Sequence, residues 1–206
     1  SGLGAGVLWC GWVGFKAGSA RAGNGLAAIA FVNTHFATCG AALGWMILEW
    51  LVRGKPTMLG VASGAVAGLV AVTPAAGFVG PMSAIIIGFL AGVLCYLAVL
   101  AKPKLGYDDS LDVVGVHMVG GLWGALATGL FACKAVNDAG ADGLFFGNPA
   151  QFGVQIVAVL VTLVYSFVIS YILLKLLDAT MGLRVEPDEE VAGLDISEHQ
   201  ETGYSL

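Results

Sequence analysis

His117 is the residue around which chemistry can be built. Between positions 113 and 133 no Asp, Glu, Lys or Arg accompanies it, and that length is close to what crosses the hydrocarbon core of a bilayer. An ionisable ring in such a segment is costly to leave against lipid, so it faces a partner, a cavity or a permeation path. The competing reading is a packing residue satisfied between helices. Imidazole donates and accepts hydrogen bonds and titrates near neutrality, which suits it to handling a proton or a small polar molecule. The glycines around it sharpen the picture. Gly120 and Gly124 form a GxxxG pair and Gly121 lies one turn beyond His117 on its face, so neighbouring helices can approach closely.

Other candidates surround that ring. Asp108, Asp109 and Asp112 cluster just before it, placed either to cap a helix N-terminus or to attract cations. Capping suits Asp108 or Asp109; Asp112, about one turn before His117, is placed to interact with its surroundings. Near the other end, Trp12, Phe15 and Ser19 follow i, i+3, i+7 spacing and share one helical face. The two aromatic rings on that face read as a pair packing in a bundle or marking the membrane interface, where Trp is enriched. Cys10, Cys39, Cys95 and Cys133 stand singly, with no CxxC and no Cys/His metal spacing, and read as small apolar packing residues. His35 lies in another apolar run, as a residue satisfied by an interhelical hydrogen bond.

The elements that must carry these residues are membrane helices. Apolar residues make up 58% of the 206-residue chain and charged ones 11%, with 31 glycines, against roughly a quarter charged and about 7% glycine in soluble domains. The alternation of a β-barrel is missing, so backbone polar groups must be satisfied within helices. The expectation is an all-α polytopic membrane protein of about six transmembrane helices, in segments 2–15, 26–51, 58–72, 82–100, one carrying His117, and 150–177. Residues 53–56 form a turn, Thr73-Pro74 through Pro81 a break, and Lys102-Pro103-Lys104 a stop. Residues 1–178 are thus read as a transmembrane domain and 179–206 as an acidic, solvent-exposed tail hinged at Gly182-Leu183-Arg184. The chain opens on Ser1 and enters an apolar run almost at once, as if cut from something longer, with no signal-peptide pattern.

Net charge is −5, and seven of the fourteen acidic residues follow Arg184. No basic stripe exists, which excludes nucleic-acid binding. Arg53, Lys55, Lys102, Lys104, Lys175 and Arg184 fall on one side of the expected spans; Lys16, Arg21 and Lys134 fall on the other. The positive-inside rule then puts the tail in the cytoplasm and the Asp108–Asp112 cluster at a cytoplasmic mouth.

Several stretches carry a resemblance: GWVGFKAGSA (11–20), FVNT (31–34), EWLVRGKPTMLG (49–60), SGAVAGLVAVTPAAGFV (63–79), DDSLDVVGVHMVGG (108–121) and GLRVEPDEEVAGLDISEH (182–199). Together they resemble the ammonium transporters of the Amt/Mep/Rh superfamily, from end to end of this chain, in the register of spans six to eleven of an eleven-helix inverted-repeat fold. The resemblance implies ammonium transport through a hydrophobic pore, with no catalytic residues, cofactor or metal. Phe15 matches one of two stacked phenylalanines closing the outer end, and Ser19 the hydroxyl of the outer recruitment site. Trp12 matches a pore-lining indole, His117 one of twin pore histidines, and Val113 an apolar lining position. Thr73 and Ser63 match polar residues towards the inner part of the path. The second histidine, the other gate phenylalanine and the remaining outer-site aromatic belong to spans one to five.

The resemblance also implies partners: ammonium or ammonia, with methylammonium as analogue; the lipid bilayer of a cell membrane; two further copies in a homotrimer; and a PII-type signalling protein on the cytoplasmic face. Gly182, Arg184, Gly193 and Asp195 match its tail motif, whereas composition alone favours a solvated tail. The sequence departs from the pattern at Lys16, where asparagine is common; one residue off the Phe15 face, it is placed to point away. Two other readings compete. One is an ammonium-sensing membrane module signalling through its cytoplasmic face. The other is a haem protein ligated by His35 and His117, which leaves the pore-like motifs unexplained.

Overall fold

In the computed structural model, which describes residues 1–203, the chain is helical and no strand occurs among the described residues. The six expected apolar segments all form helix: α1 (Gly2–Gly18), α2 (Gly25–Arg53), α3 (Met58–Val72), α4 (Pro81–Leu105), α5 (Val119–Phe131), preceded by a π turn at Val114–Met118, and α6 (Pro149–Met181). By length and composition α2, α4, the π turn with α5, and α6 can each cross a membrane, whereas α3 is a shorter apolar helix. Two compact units are present, Ser1–Val159 and Leu160–Leu206.

The first unit is organised on α2, which packs against α1, α3 and α4. Its interior is built from small side chains: Ala37, Ala41, Ala67, Ala71, Ala84 and Ala91 are buried, while Leu43, Ile47, Phe89 and Leu97 point outwards. That distribution suits lipid. Apolar residues gain nothing from leaving an apolar solvent, so helices associate through close backbone approach instead. Ala37 and Ala41 show the device. Gly68 of α3 and Gly88 of α4 both lie against the Ala37 carbonyl, and Gly64 and Gly92 both lie against the Ala41 carbonyl. A methyl group at Gly88 or Gly92 would overlap backbone atoms of α2. The GxxxG faces of α3 and α4 therefore serve packing within this one chain.

Polar residues fix the ends. Asn24 caps α2 by accepting from the Ala27 amide at 3.0 Å, and Gly54, at φ 78°, supplies its left-handed stop. Glu49 is buried yet satisfied, accepting from the amide and hydroxyl of Thr57, each at 3.0 Å. The Thr57 hydroxyl in turn accepts from the Gly60 amide to cap α3. Beyond α3, the irregular stretch that follows Thr73 is pinned to α2 by fully buried Asn33, whose amide donates to the carbonyls of Ala76 (2.8 Å) and Val79 (2.7 Å). Backbone carbonyls freed by a helix break must find donors. Asn33 is their source.

One boundary differs from expectation. α4 does not stop before Lys102 but runs through Pro103 to Leu105, and Gly106, at φ 69°, ends it. Proline's fixed φ suits a helix; Pro103 forgoes the bond its amide would have made to the Val99 carbonyl, but the turn continues and the left-handed glycine sets the stop.

α6, which begins in the first unit and continues into the second, has no buried residue. The following segment, where composition alone favours solvated coil, forms α7 (Pro187–Ala192) and α8 (Leu194–Ser197). Glu186 and Glu189 make a reciprocal capping box with Pro187 opening the helix. The guanidinium of Arg184 donates to both carboxylate oxygens of Glu190 at 2.9 Å, and Gly182 and Gly193 take positive φ. Asp195 accepts from the Gly203 amide. The last three residues of the expected 179–206 tail lie outside the described residues.

Candidate permeation face

The residues singled out from sequence fall into two groups in the first unit. At one, α1 presents Trp12 and Phe15 with ring centroids 6.1 Å apart, edge to face. The Trp12 indole donates to the Thr73 hydroxyl at 2.9 Å, and that hydroxyl donates to the Leu69 carbonyl at 2.7 Å. Both ends of the α1–α3 bridge are therefore satisfied, and the indole plane is fixed. Ser19 donates to the Phe15 carbonyl at 2.8 Å, which leaves its oxygen lone pairs as acceptors. Ser19 and Thr73 line a cavity of about 180 Å³ with Lys16, Leu26, Phe78 and Asn137. Phe15 is 57% exposed. A ring face and a hydroxyl acceptor can replace part of a monovalent cation's hydration shell.

Thr73 thus departs from expectation. It belongs with Trp12 and Ser19, not with Ser63. The two lie ten residues apart along α3 and its end, which is about 15 Å along a helix.

Lys16 departs too. It does not turn from Phe15: its Nζ lies over that ring, 4.9 Å from the centroid.

At the second group, His117 and Ser63 line a groove of about 290 Å³ with Leu8, Leu59, Val66 and Val116. His117 lies in the π turn, not in regular α-helix. A π turn shifts the following side chains about the helix axis and is common at functional sites. Here the turn is held from below. Asp109 caps it, its two carboxylate oxygens accepting from the amides of Val113 (2.9 Å) and Val114 (2.8 Å). Asp112, in the left-handed region at φ 56°, is ion-paired with Lys102. The Lys102 ammonium also donates to the Asp109 carbonyl at 2.8 Å. From behind, Gly115 and Gly120 let the segment settle against Val99 and Cys95 of α4. The ring projects from the opposite side, exposed and without a hydrogen bond among the described residues. Val113, also exposed, lines neither cavity.

His35 differs from the hydrogen-bonded residue expected. Its ring packs on Trp9 of α1, 5.0 Å between centroids. Two supporting residues have no sequence-based expectation for the roles they play: Asn33, which holds the break after α3, and Lys102, which holds the backbone before His117. No group of His, Cys, Asp and Glu among the described residues is arranged to hold a metal ion.

The chain is similar to known proteins along nearly its whole length. Residues 1–204 match the family model described as the Ammonium Transporter Family. An ammonium transporter of Aquifex aeolicus is 53% identical over 205 residues, covering 99% of this chain and 48% of that protein. One from Bacillus subtilis is 48% identical over 203 residues, covering 98% and 50%. The crystal structure of Saccharomyces cerevisiae Mep2 superposes with a TM-score of 0.86 at 36% identity, covering 90% of this chain and 43% of that one. The chain spans about half the length of the curated relatives it matches. With all-helical architecture, an outward-facing apolar surface and a family match over nearly its whole length, the chain belongs to the ammonium transporter family of multi-pass membrane proteins.

Proposed function

We propose that this chain forms one wall of an ammonium-conducting pore, the other wall coming from a second half like that of its longer relatives. The observation that carries the reading is the pairing of an exposed aromatic–hydroxyl group at Phe15 and Ser19 with an exposed imidazole, His117, that lines an apolar groove with Ser63. Ammonium would be recruited against the Phe15 ring, with the Ser19 oxygen accepting one of its N–H groups. Entering an apolar lumen as an ion costs far more than entering as neutral ammonia. The ion therefore gives up a proton to solvent at the entrance, and ammonia moves past Phe15, Trp12 and Val113. His117 can accept from or donate to ammonia, and Ser63 continues the polar path while Thr73 holds Trp12 in place. No covalent bond changes partner other than to hydrogen, so this is transport and not an enzyme reaction.

The wider reading rests on family membership and charge bias. The protein sits in a cell membrane as a homotrimer with its tail in the cytoplasm. Gly182, Arg184, Gly193 and Asp195 shape that tail for contact with a PII-type signalling protein.

Methylammonium uptake into proteoliposomes tests the central claim. The 206-residue chain is compared with the same chain joined to the remaining half of a relative. Uptake by the joined protein only, lost on His117→Leu, is the expected result. Uptake by the short chain alone would mean that its copies build a pore among themselves. Uptake by neither would remove the transport reading and favour the sensing module.

A further inference from the structure

Lys16 is a charged residue beside Phe15 and Ser19 that the proposed transport path does not use. Its stem leaves α1 one position after Phe15, and its ammonium bends back over the Phe15 ring at 4.9 Å, inside the range of a cation–π contact. It lines the same small cavity as Ser19 and Thr73. The two ion pairs found among the described residues belong to Lys102 and Arg184, so no carboxylate neutralises it there. A lysine ammonium and a free ammonium ion present the same features to a site: a compact positive charge and N–H donors without acceptors.

From this geometry we infer that Lys16 is a tethered occupant of the aromatic cation site. Its ammonium competes with incoming ammonium or methylammonium for the Phe15 face and must swing aside before either can bind. The inference rests on the reading of Phe15 and Ser19 as the recruiting end. Lys16 then sets the working concentration range of the protein. A tethered competitor is always present at a high local concentration, so it raises the half-saturating concentration without blocking the path. The flexible four-carbon stem allows the swing without moving α1.

Two measurements on the joined protein of the uptake experiment, with Lys16 as its variable position, test this. The first is the concentration dependence of methylammonium uptake into proteoliposomes for the wild type, Lys16→Asn and Lys16→Arg. Removing the tethered cation is expected to lower the half-saturating concentration by about five-fold, the scale of one exposed cation–π contact, with the maximal rate at or above wild type. Lys16→Arg keeps the wild-type value. An unchanged or raised half-saturation in Lys16→Asn overturns the proposal and leaves the transport reading standing.

The second measurement does not depend on transport. Protein labelled with 13C at the lysine ε carbon is titrated with methylammonium chloride, and with choline chloride at equal ionic strength. The Lys16 resonance, assigned by its absence in Lys16→Asn, is expected to start shifted by the Phe15 ring current. Methylammonium, and not choline, moves it towards its solvent position. A resonance indifferent to methylammonium overturns the tethered competitor whatever uptake shows. If the resonance moves while no variant transports, tethered occupancy holds and the transport reading falls.

Discussion

At the Trp12–Ser19 end, regular helical spacing does the positioning. Trp12 and Phe15 meet across i, i+3, Ser19 returns its proton to the carbonyl four residues earlier, and one cross-helix bond to Thr73 fixes the indole. At the His117 end the backbone itself is displaced. A residue at φ 56° and a π turn aim the ring, and Asp109, Asp112 and Lys102 hold that backbone from outside the groove. A side chain that can lie along its own helix needs only the right sequence interval. A ring that must project from a glycine-rich span, away from the helix against which the span packs, needs a distorted backbone. It then depends on residues that do not line the groove themselves. The two ends should therefore fail differently.

The largest expected effect comes from Gly124→Leu. Gly124 of α5 sits on the Ala71 carbonyl of α3, where any Cβ would overlap backbone. Overpacking a well-filled interface costs about 1–3 kcal/mol, here by pushing α5 and the π turn off α3. The α1–α3 bridge does not involve α5. The expected outcome is a lower thermal unfolding midpoint in detergent, with faster amide exchange over residues 114–131 and unchanged exchange over 12–19. Equal loosening at both ends would show that they form one unit.

Asp109→Ala comes next and is narrower. It removes the acceptors of two amides at the start of the π turn, a change worth about 0.5–2 kcal/mol for a helix cap. Amide exchange at Val113 and Val114 should rise and the His117 ring signals should broaden, while Trp12 keeps its spectrum. Asp109→Asn keeps one oxygen acceptor and should fall between the two. If the π turn persists with its exchange unchanged, the ion pair of Lys102 with Asp112 holds it instead.

This contrast also accounts for what could be read in advance. The apolar segments were legible because polar, glycine and proline clusters punctuate them, and the glycine spacing was legible because close backbone approach requires it. The capping role of Asp109 and the outward engagement of Asp112 followed from their positions before the span. The π turn was not legible, since a one-residue shift in winding changes no composition or period over so short a stretch. Nor was the path of Lys16, whose four rotatable bonds can send the ammonium to either side of α1. Thr73 was placed with Ser63 by the family resemblance, although ten residues separate them and Thr73 is bonded to Trp12. The carbonyls needing Asn33 appear only once the helix breaks, and the acidic tail hides a capping box in which glutamate stands where serine or threonine is usual.

The smallest effect tests the regular end most directly. Trp12→Phe keeps an aromatic ring on Phe15 and removes the donor to Thr73. The threonine hydroxyl still donates to the Leu69 carbonyl, so no buried donor is orphaned. The loss should be that of one ordinary hydrogen bond, about 0.5–1.5 kcal/mol. Thr73→Val removes the same bond from the other side, and the double variant shows whether the pair is coupled. Non-additivity of about 1 kcal/mol would mean that the bridge holds α1 against α3. Additive losses would mean that buried Val13 and the packing of α1 on α2 already hold α1 in place, and that Trp12 is aimed by its own helix alone. In either case exchange at Val113 and Val114 should stay at its wild-type rate, because nothing in the α1–α3 bridge touches the Asp109 cap.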